Sequence, residues 1–167
     1  IICSGFGSCE VYHPDEDTFL LLQADIKEAR PKDHVLEVGC GSGLVSLELA
    51  RQVESLVALD INPHAVRATR ERGVEVIRSD LFGGIRGKFD LIIFNPPYLP
   101  TERAERSDQW INYALDGGES GRETIGRFLL NLAGYLWPGG RALLLISSLT
   151  GPEEVEMMAG DAGLITE

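Results

Sequence analysis

The chain has 167 residues, 44% of them hydrophobic, enough for one soluble domain (1–167) that buries a core without disulfide or metal staples. No apolar run approaches the ~18 residues needed to span a bilayer, and no basic segment precedes the apolar pair Ile1-Ile2, so neither a membrane span nor a secretory leader is expected and the cytoplasm is the expected location. With 26 acidic against 15 basic residues the net charge is −11, which disfavours long-range attraction to a nucleic-acid backbone.

Three cysteines, Cys3, Cys9 and Cys40, are an odd count at spacings that match no metal site, so reduced thiols and no bound metal are expected. The chain opens without Met, as a trimmed sequence would. Along 14–30, Phe19, Leu22, Ile26 and Ala29 recur at helical spacing behind Asp15, Glu16 and Asp17, acids that suit a helix N-terminus. From Pro31 onwards strands and helices alternate. "HVLEV" (34–38) reads as a strand, "LVSLELARQV" (44–53) as a helix, "SLVALD" (55–60) as a strand and "PHAVRATRER" (63–72) as a helix with Pro63 in its first turn. "VEVIRSD" (74–80) and "FDLIIFN" (89–95) are further strands, followed by a polar loop over about 99–118. A long amphipathic helix over 120–137 stops at Pro138-Gly139-Gly140, then come a strand at 141–147 and a helix at 152–163.

This alternation predicts a doubly wound α/β fold, a mostly parallel sheet with helices on both faces over a core spanning 34–147. In open sheets of this type ligands sit at the carboxyl ends of the strands, near the reversal of strand order. Glu37 to Gly43, Asp60, Asp80 and Asn95 to Tyr98 each follow or close a strand, so they are expected to converge.

"EVGCGSG" (37–43) sets Gly39, Gly41 and Gly43 after the first strand, where the backbone can approach a ligand closely, although a plain strand-to-helix turn has the same composition. Leu44 stands where a dinucleotide fingerprint needs its last glycine, and no basic residue in the turn meets a pyrophosphate. Asp60 ends the second strand where an acid commonly holds a ribose diol; the competing role is an N-cap before Pro63. Asp80 could accept from an adenine amine with Leu81 and Phe82 against the ring, or be an ordinary loop aspartate. A ligand held by Glu37, Asp60 and Asp80 should carry positive charge and many donors. S-adenosylmethionine does, and the phosphates of a nicotinamide cofactor would be repelled.

Asn95-Pro96-Pro97-Tyr98 ends the fourth strand. A planar nitrogen is a poor nucleophile because its lone pair is delocalised, and it improves when its N–H groups donate to fixed acceptors. The Asn95 side-chain oxygen and the Pro96 carbonyl are such acceptors, the prolines stiffen the loop, and Tyr98 offers a flat face. The alternative is a proline turn that merely ends a strand.

These residues resemble the amino-methyltransferases that share an Asn-Pro-Pro-Tyr loop on the class I S-adenosylmethionine-dependent fold. Within them the chain resembles the HemK-related glutamine N5-methyltransferases of the archaeal and eukaryotic branch, through "VYHPDEDTFLLL" (11–22), "VLEVGCGSGLVS", "FDLIIFNPPYLPT" and "LDGGESGRETIGRFL" (115–129). The resemblance implies methylation of the glutamine in the Gly-Gly-Gln motif of a class 1 release factor. It also implies that Thr18 and Tyr12 border the cofactor pocket, and that a small zinc-binding activator protein pairs at the edge strand 74–79. Family members end in two further strands after the last helix, whereas this sequence stops at Glu167, so a truncated sheet or a different closure is expected. The competing activity is N6-adenine or N2-guanine methylation of nucleic acid, against which the charge and the lack of a basic domain stand. A non-catalytic scaffold is the third reading.

Overall fold

The computed structural model describes residues 10–102 and 109–167, which leaves Cys3 and Cys9 outside the described residues. Five strands, β1 (His34–Val38), β2 (Ser55–Asp60), β3 (Val76–Arg78), β4 (Phe89–Phe94) and β5 (Leu136–Leu144), form one parallel sheet in the order β3-β2-β1-β4-β5. The helices are α1 (Glu16–Glu28), α2 (Leu44–Leu49), α3 (Pro63–Glu71), α4 (Trp110–Tyr113), α5 (Glu123–Tyr135) and α6 (Pro152–Asp161).

The alternation of side chains along each strand assigns the two faces. Leu36, Val38, Ile92 and Phe94 pack with Ile125 and Phe128 of α5 and Val155 of α6. Val35, Leu91 and Ile93 pack on the other face with Val45 and Leu49 of α2 and Val66 of α3, and Leu22 of α1 lies against that cluster. Burial on both faces explains why β1 and β4 read as near-continuous apolar runs. The strand order reverses between β1 and β4, so the crevice opens where Gly39 and Asn95 leave the sheet.

Several boundaries differ from the sequence expectation. β3 keeps only three paired residues of the expected seven. α2 ends at Leu49 rather than 53. α5 stops at Tyr135, and Pro138-Gly139-Gly140 lies within β5 rather than ahead of it. β5 is one of the two edge strands, where a residue without an N–H is tolerated, and the ladder skips from Phe89↔Leu136 to Leu91↔Arg141, so 137–140 bulge out of register. The polar loop contains the short α4, and Leu99 bridges Asp116, tying that loop back beside the Asn-Pro-Pro-Tyr turn.

Candidate active site

A cavity of about 580 Å³ opens at the carboxyl edge of the sheet. Tyr12, Thr18, Glu37, Gly39, Gly41, Asp60, Asp80, Leu81, Asn95, Pro96, Pro97 and Tyr98 all line it. Gly43 does not: it sits behind the wall, with φ +76° and an ideal Cβ that would fall 2.6 Å from Thr69 Oγ1 and 2.9 Å from Thr69 Cα. Its glycine is required by the close approach of α2 to α3 rather than by a ligand.

The acidic side of the cavity is built from strand ends. Glu37 is 5% exposed and accepts a hydrogen bond from Ser46 Oγ on α2. Burial, reinforced by the carboxylates of Asp25 and Asp60, pushes its carboxyl from 4.5 up to about 8. Asp60 accepts from Gly41 N at 2.9 Å through Oδ2 and from Asn62 N at 2.8 Å through Oδ1. Burial raises its carboxyl too, against the lowering effect of those backbone donors. The cap of α3 is Asn62, which accepts from His64 N, so the N-cap role considered for Asp60 falls to its neighbour. Each Asp60 oxygen retains acceptor capacity for a diol.

Asp80 is more exposed and receives Arg127 Nη2 at 2.7 Å from α5, an ion pair that turns one carboxylate oxygen towards the helix. Leu81 has φ +46°, the one non-glycine residue in the left-handed region among those described. The strained position is held by Ser79, whose Oγ donates to Leu81 O and accepts from Gly84 N, both at 2.8 Å. Phe82, expected to flank a bound ring, instead turns into the core, stacked 4.4 Å from Tyr135. Ile61, missed in the sequence, lines the cavity.

The opposite wall is the Asn-Pro-Pro-Tyr turn. Pro96 is buried, and Asn95, Pro97 and Tyr98 are partly so. Asn95 Nδ2 donates to Asp17 Oδ2 at 3.0 Å, and the Tyr98 hydroxyl donates to the same oxygen at 3.3 Å. Among the described residues no donor reaches Asn95 Oδ1 or the Pro96 carbonyl. Asp17 also accepts from Thr18 N at 2.7 Å and from the Tyr12 hydroxyl at 3.2 Å through Oδ1. Burial, with the Asp17 charge second, pushes both phenols up, so Tyr12 and Tyr98 act as donors. In the sequence Asp17 is one of three acids before a helix, a pattern that helix capping alone explains; only the fold brings it beside Asn95. The capping residue is Asp15, whose carboxylate accepts from Glu16 N while its own N–H donates to Thr18 Oγ1.

The set of acceptors suits a cationic nucleoside. Among the described residues Glu37 and Asp60 have no ion-pair partner, and the one cation on the wall, Arg127, is engaged by Asp80. A Cβ at Gly39 would press to 3.2 Å from Phe94 Cε2, so the turn lies close against the sheet.

The model of the methyltransferase small domain matches residues 8–112. The chain is 45% identical over 152 residues, 87% of it and 76% of the relative, to a Methanocaldococcus jannaschii protein whose name, protein N5-glutamine methyltransferase, is provisional. The chain belongs to the HemK-related methyltransferase family. It is 36% identical to human methyltransferase HEMK2, covering 93% of this chain and 80% of that one. Among solved structures, the Encephalitozoon cuniculi Mtq2–Trm112 complex, described as responsible for methylation of the eRF1 translation termination factor, matches with a TM-score of 0.76 and 30% identity over 92% of this chain and 85% of that one. The enzyme is a methyltransferase, and its methyl donor is S-adenosylmethionine.

Proposed function

We propose that this methyltransferase, acting as a single domain, methylates the side-chain amide nitrogen of the glutamine in the Gly-Gly-Gln motif of a class 1 release factor. The observation that carries the reading is that no donor among the described residues reaches Asn95 Oδ1 or the Pro96 carbonyl, two acceptors at the mouth of an acidic nucleoside cradle. Glu37, Asp60 and Asp80 would hold the ammonium, ribose and adenine groups of the cofactor, Gly39 and Gly41 would let the turn approach it, and Leu81 and Ile61 would contact its ring. Bound S-adenosylmethionine supplies an electrophilic methyl group on a sulfonium. The chain's own residues do the rest. Asn95 Oδ1 and the Pro96 carbonyl accept the two N–H groups of the substrate carboxamide and aim its nitrogen lone pair at the donor. Pro96 and Pro97 hold those acceptors before the substrate arrives, and Tyr98 stacks on the planar group. Thr18 and Tyr12 close the wall on the α1 side through their bonds to Asp17.

The names of relatives support the substrate: Mtq2 acting on eRF1, and a release factor glutamine methyltransferase of Deinococcus radiodurans at 32% identity, of which the chain covers 55%. We further propose a cytoplasmic protein that takes a small zinc-binding partner at the edge strand β3; what supports a protein partner is the Mtq2–Trm112 complex. No helix among the described residues is long and apolar enough to cross a membrane. The deciding test is incubation with methyl-labelled S-adenosylmethionine and either a class 1 release factor, with and without the partner, or bulk DNA and RNA. Label on the release-factor glutamine is the expected result; label on nucleic acid alone contradicts it.

A further inference from the structure

We propose that Asp17 is a positioning residue for methyl transfer: it sets which end of the Asn95 carboxamide faces the substrate. The inference rests on the reading that Asn95 Oδ1 is a working acceptor. An asparagine amide presents an acceptor at one end and donors at the other, and a half-turn about its last bond exchanges them. Only one orientation serves a substrate that must donate its N–H groups. In the other, Asn95 would offer donors where the substrate also offers donors.

Asp17 decides between the two because a carboxylate can only accept. Its Oδ2 lies 3.0 Å from Asn95 Nδ2, so the amino end is held towards α1 and Oδ1 is left for the cavity. The Tyr98 hydroxyl donates to the same oxygen, which couples the stacking ring to the same anchor. The anchor is itself hydrogen-bonded on its other oxygen. Oδ1 accepts from Thr18 N at 2.7 Å, a backbone donor that cannot rotate away, and from the Tyr12 hydroxyl. Asp17 also stands in the first turn of the 13-residue α1, where the helix favours negative charge. The negative charge beside Nδ2 further polarises the amide and strengthens Oδ1 as an acceptor.

The geometry predicts what Asp17→Asn does. The Thr18 N–H keeps the remaining carbonyl oxygen on its side, so the new NH₂ group faces Asn95. Asn95 must then turn its own oxygen to that NH₂ and its amino group to the cavity. The acceptor is replaced by a donor, although volume and fold are unchanged. Asp17→Asn is therefore expected to lower kcat by about 10²-fold, with cofactor affinity and the denaturation midpoint near those of the parent. The exchange Asp17→Asn with Asn95→Asp restores the pattern. The new NH₂ donates to one oxygen of the carboxylate introduced at position 95, the other oxygen faces the cavity, and the net charge is that of the parent.

The experiment compares single-turnover rates on the release factor for the parent, D17N, N95A, Y98F and the exchanged pair, with calorimetric cofactor affinities. The proposal expects D17N and N95A to be slow, Y98F to lose less than tenfold, and the exchanged pair to recover at least tenfold over D17N. It is overturned if D17N is within threefold of the parent while N95A is slow. It is also overturned if the exchanged pair stays as slow as D17N, which would make the loss one of helix integrity, or if Y98F is as slow as D17N, which would route the effect through the phenol. Full turnover by N95A would instead remove the catalytic reading on which the inference rests.

Discussion

Cofactor binding should take a proton off Glu37, with a pH signature set by that residue. In the free protein its carboxyl is pushed up to about 8, chiefly by burial, and no cation among the described residues offsets the charge. A sulfonium and an ammonium in the cradle supply the missing countercharge, so the bound state requires the ionised form. With a midpoint near 8, about one molecule in a hundred is ionised at pH 6 and about half at pH 8. Affinity should therefore rise by about 50-fold over that interval, each unit below 8 costing about 1.4 kcal/mol. The same linkage acts on the ligand-free fold with the opposite sense. A carboxyl raised above its unfolded value of 4.5 contributes stability that is full below 4.5 and is lost as pH climbs through 8. Cofactor should thus protect the fold more at pH 8 than at pH 6. Calorimetric titration across pH 6–8, in two buffers of different ionisation enthalpy, reads both the slope and the protons released. Glu37→Gln keeps a partner for Ser46 but cannot titrate, and should flatten the slope while weakening binding at pH 8. An affinity flat from pH 6 to 8 in the parent, or a slope that survives Glu37→Gln, refutes the reasoning.

Asp25 on α1 is fully buried, with both carboxyl oxygens unpartnered among the described residues and a midpoint raised to about 7 by burial. Asp25→Ala should stabilise the fold by about 1–3 kcal/mol, more at pH 8 than at pH 5, read by urea denaturation; an unchanged or lowered midpoint at pH 8 contradicts this. Gly43→Ala must place a Cβ against the Thr69 backbone at positive φ, and should cost at least about 2 kcal/mol in the same assay; a loss below 0.5 kcal/mol, roughly the scatter of surface substitutions, would mean that α2 and α3 yield easily. Asp60→Ala should weaken S-adenosylmethionine by about 1.5–3 kcal/mol, and unchanged affinity would remove Asp60 from the site.

The order of elements and the convergence of strand ends were readable from the sequence because both follow from periodicity and from the handed, parallel architecture. Glu37, Asp60 and Asn95 were found by rank, as residues that close β1, β2 and β4. Residues that reach the site from helices were not found that way. Asp17 looks like a first-turn acid, and Arg127 looks like a solvent-facing position on α5; what they touch depends on how each helix docks. Phe82 was misplaced because its side chain joins an aromatic stack with Tyr135 and Phe128, more than 45 residues downstream. The glycine turn was read as one unit, yet Gly39 meets the sheet and Gly43 meets α3, a division invisible in Gly-x-Gly-x-Gly. β5 admits Pro138 because its outer edge needs no donor there, and an edge position is a property of the sheet rather than of the segment.

The central claim is that Asn95 lends its side-chain oxygen to the substrate amide as the methyl group is transferred. The direct measurement is kcat and KM of Asn95→Ala on a class 1 release factor, beside the cofactor dissociation constant of the same variant. The expected result is a fall in kcat of about 10²–10³-fold, with KM and cofactor affinity nearly unchanged. Full turnover by Asn95→Ala, or a loss confined to cofactor affinity, would contradict it.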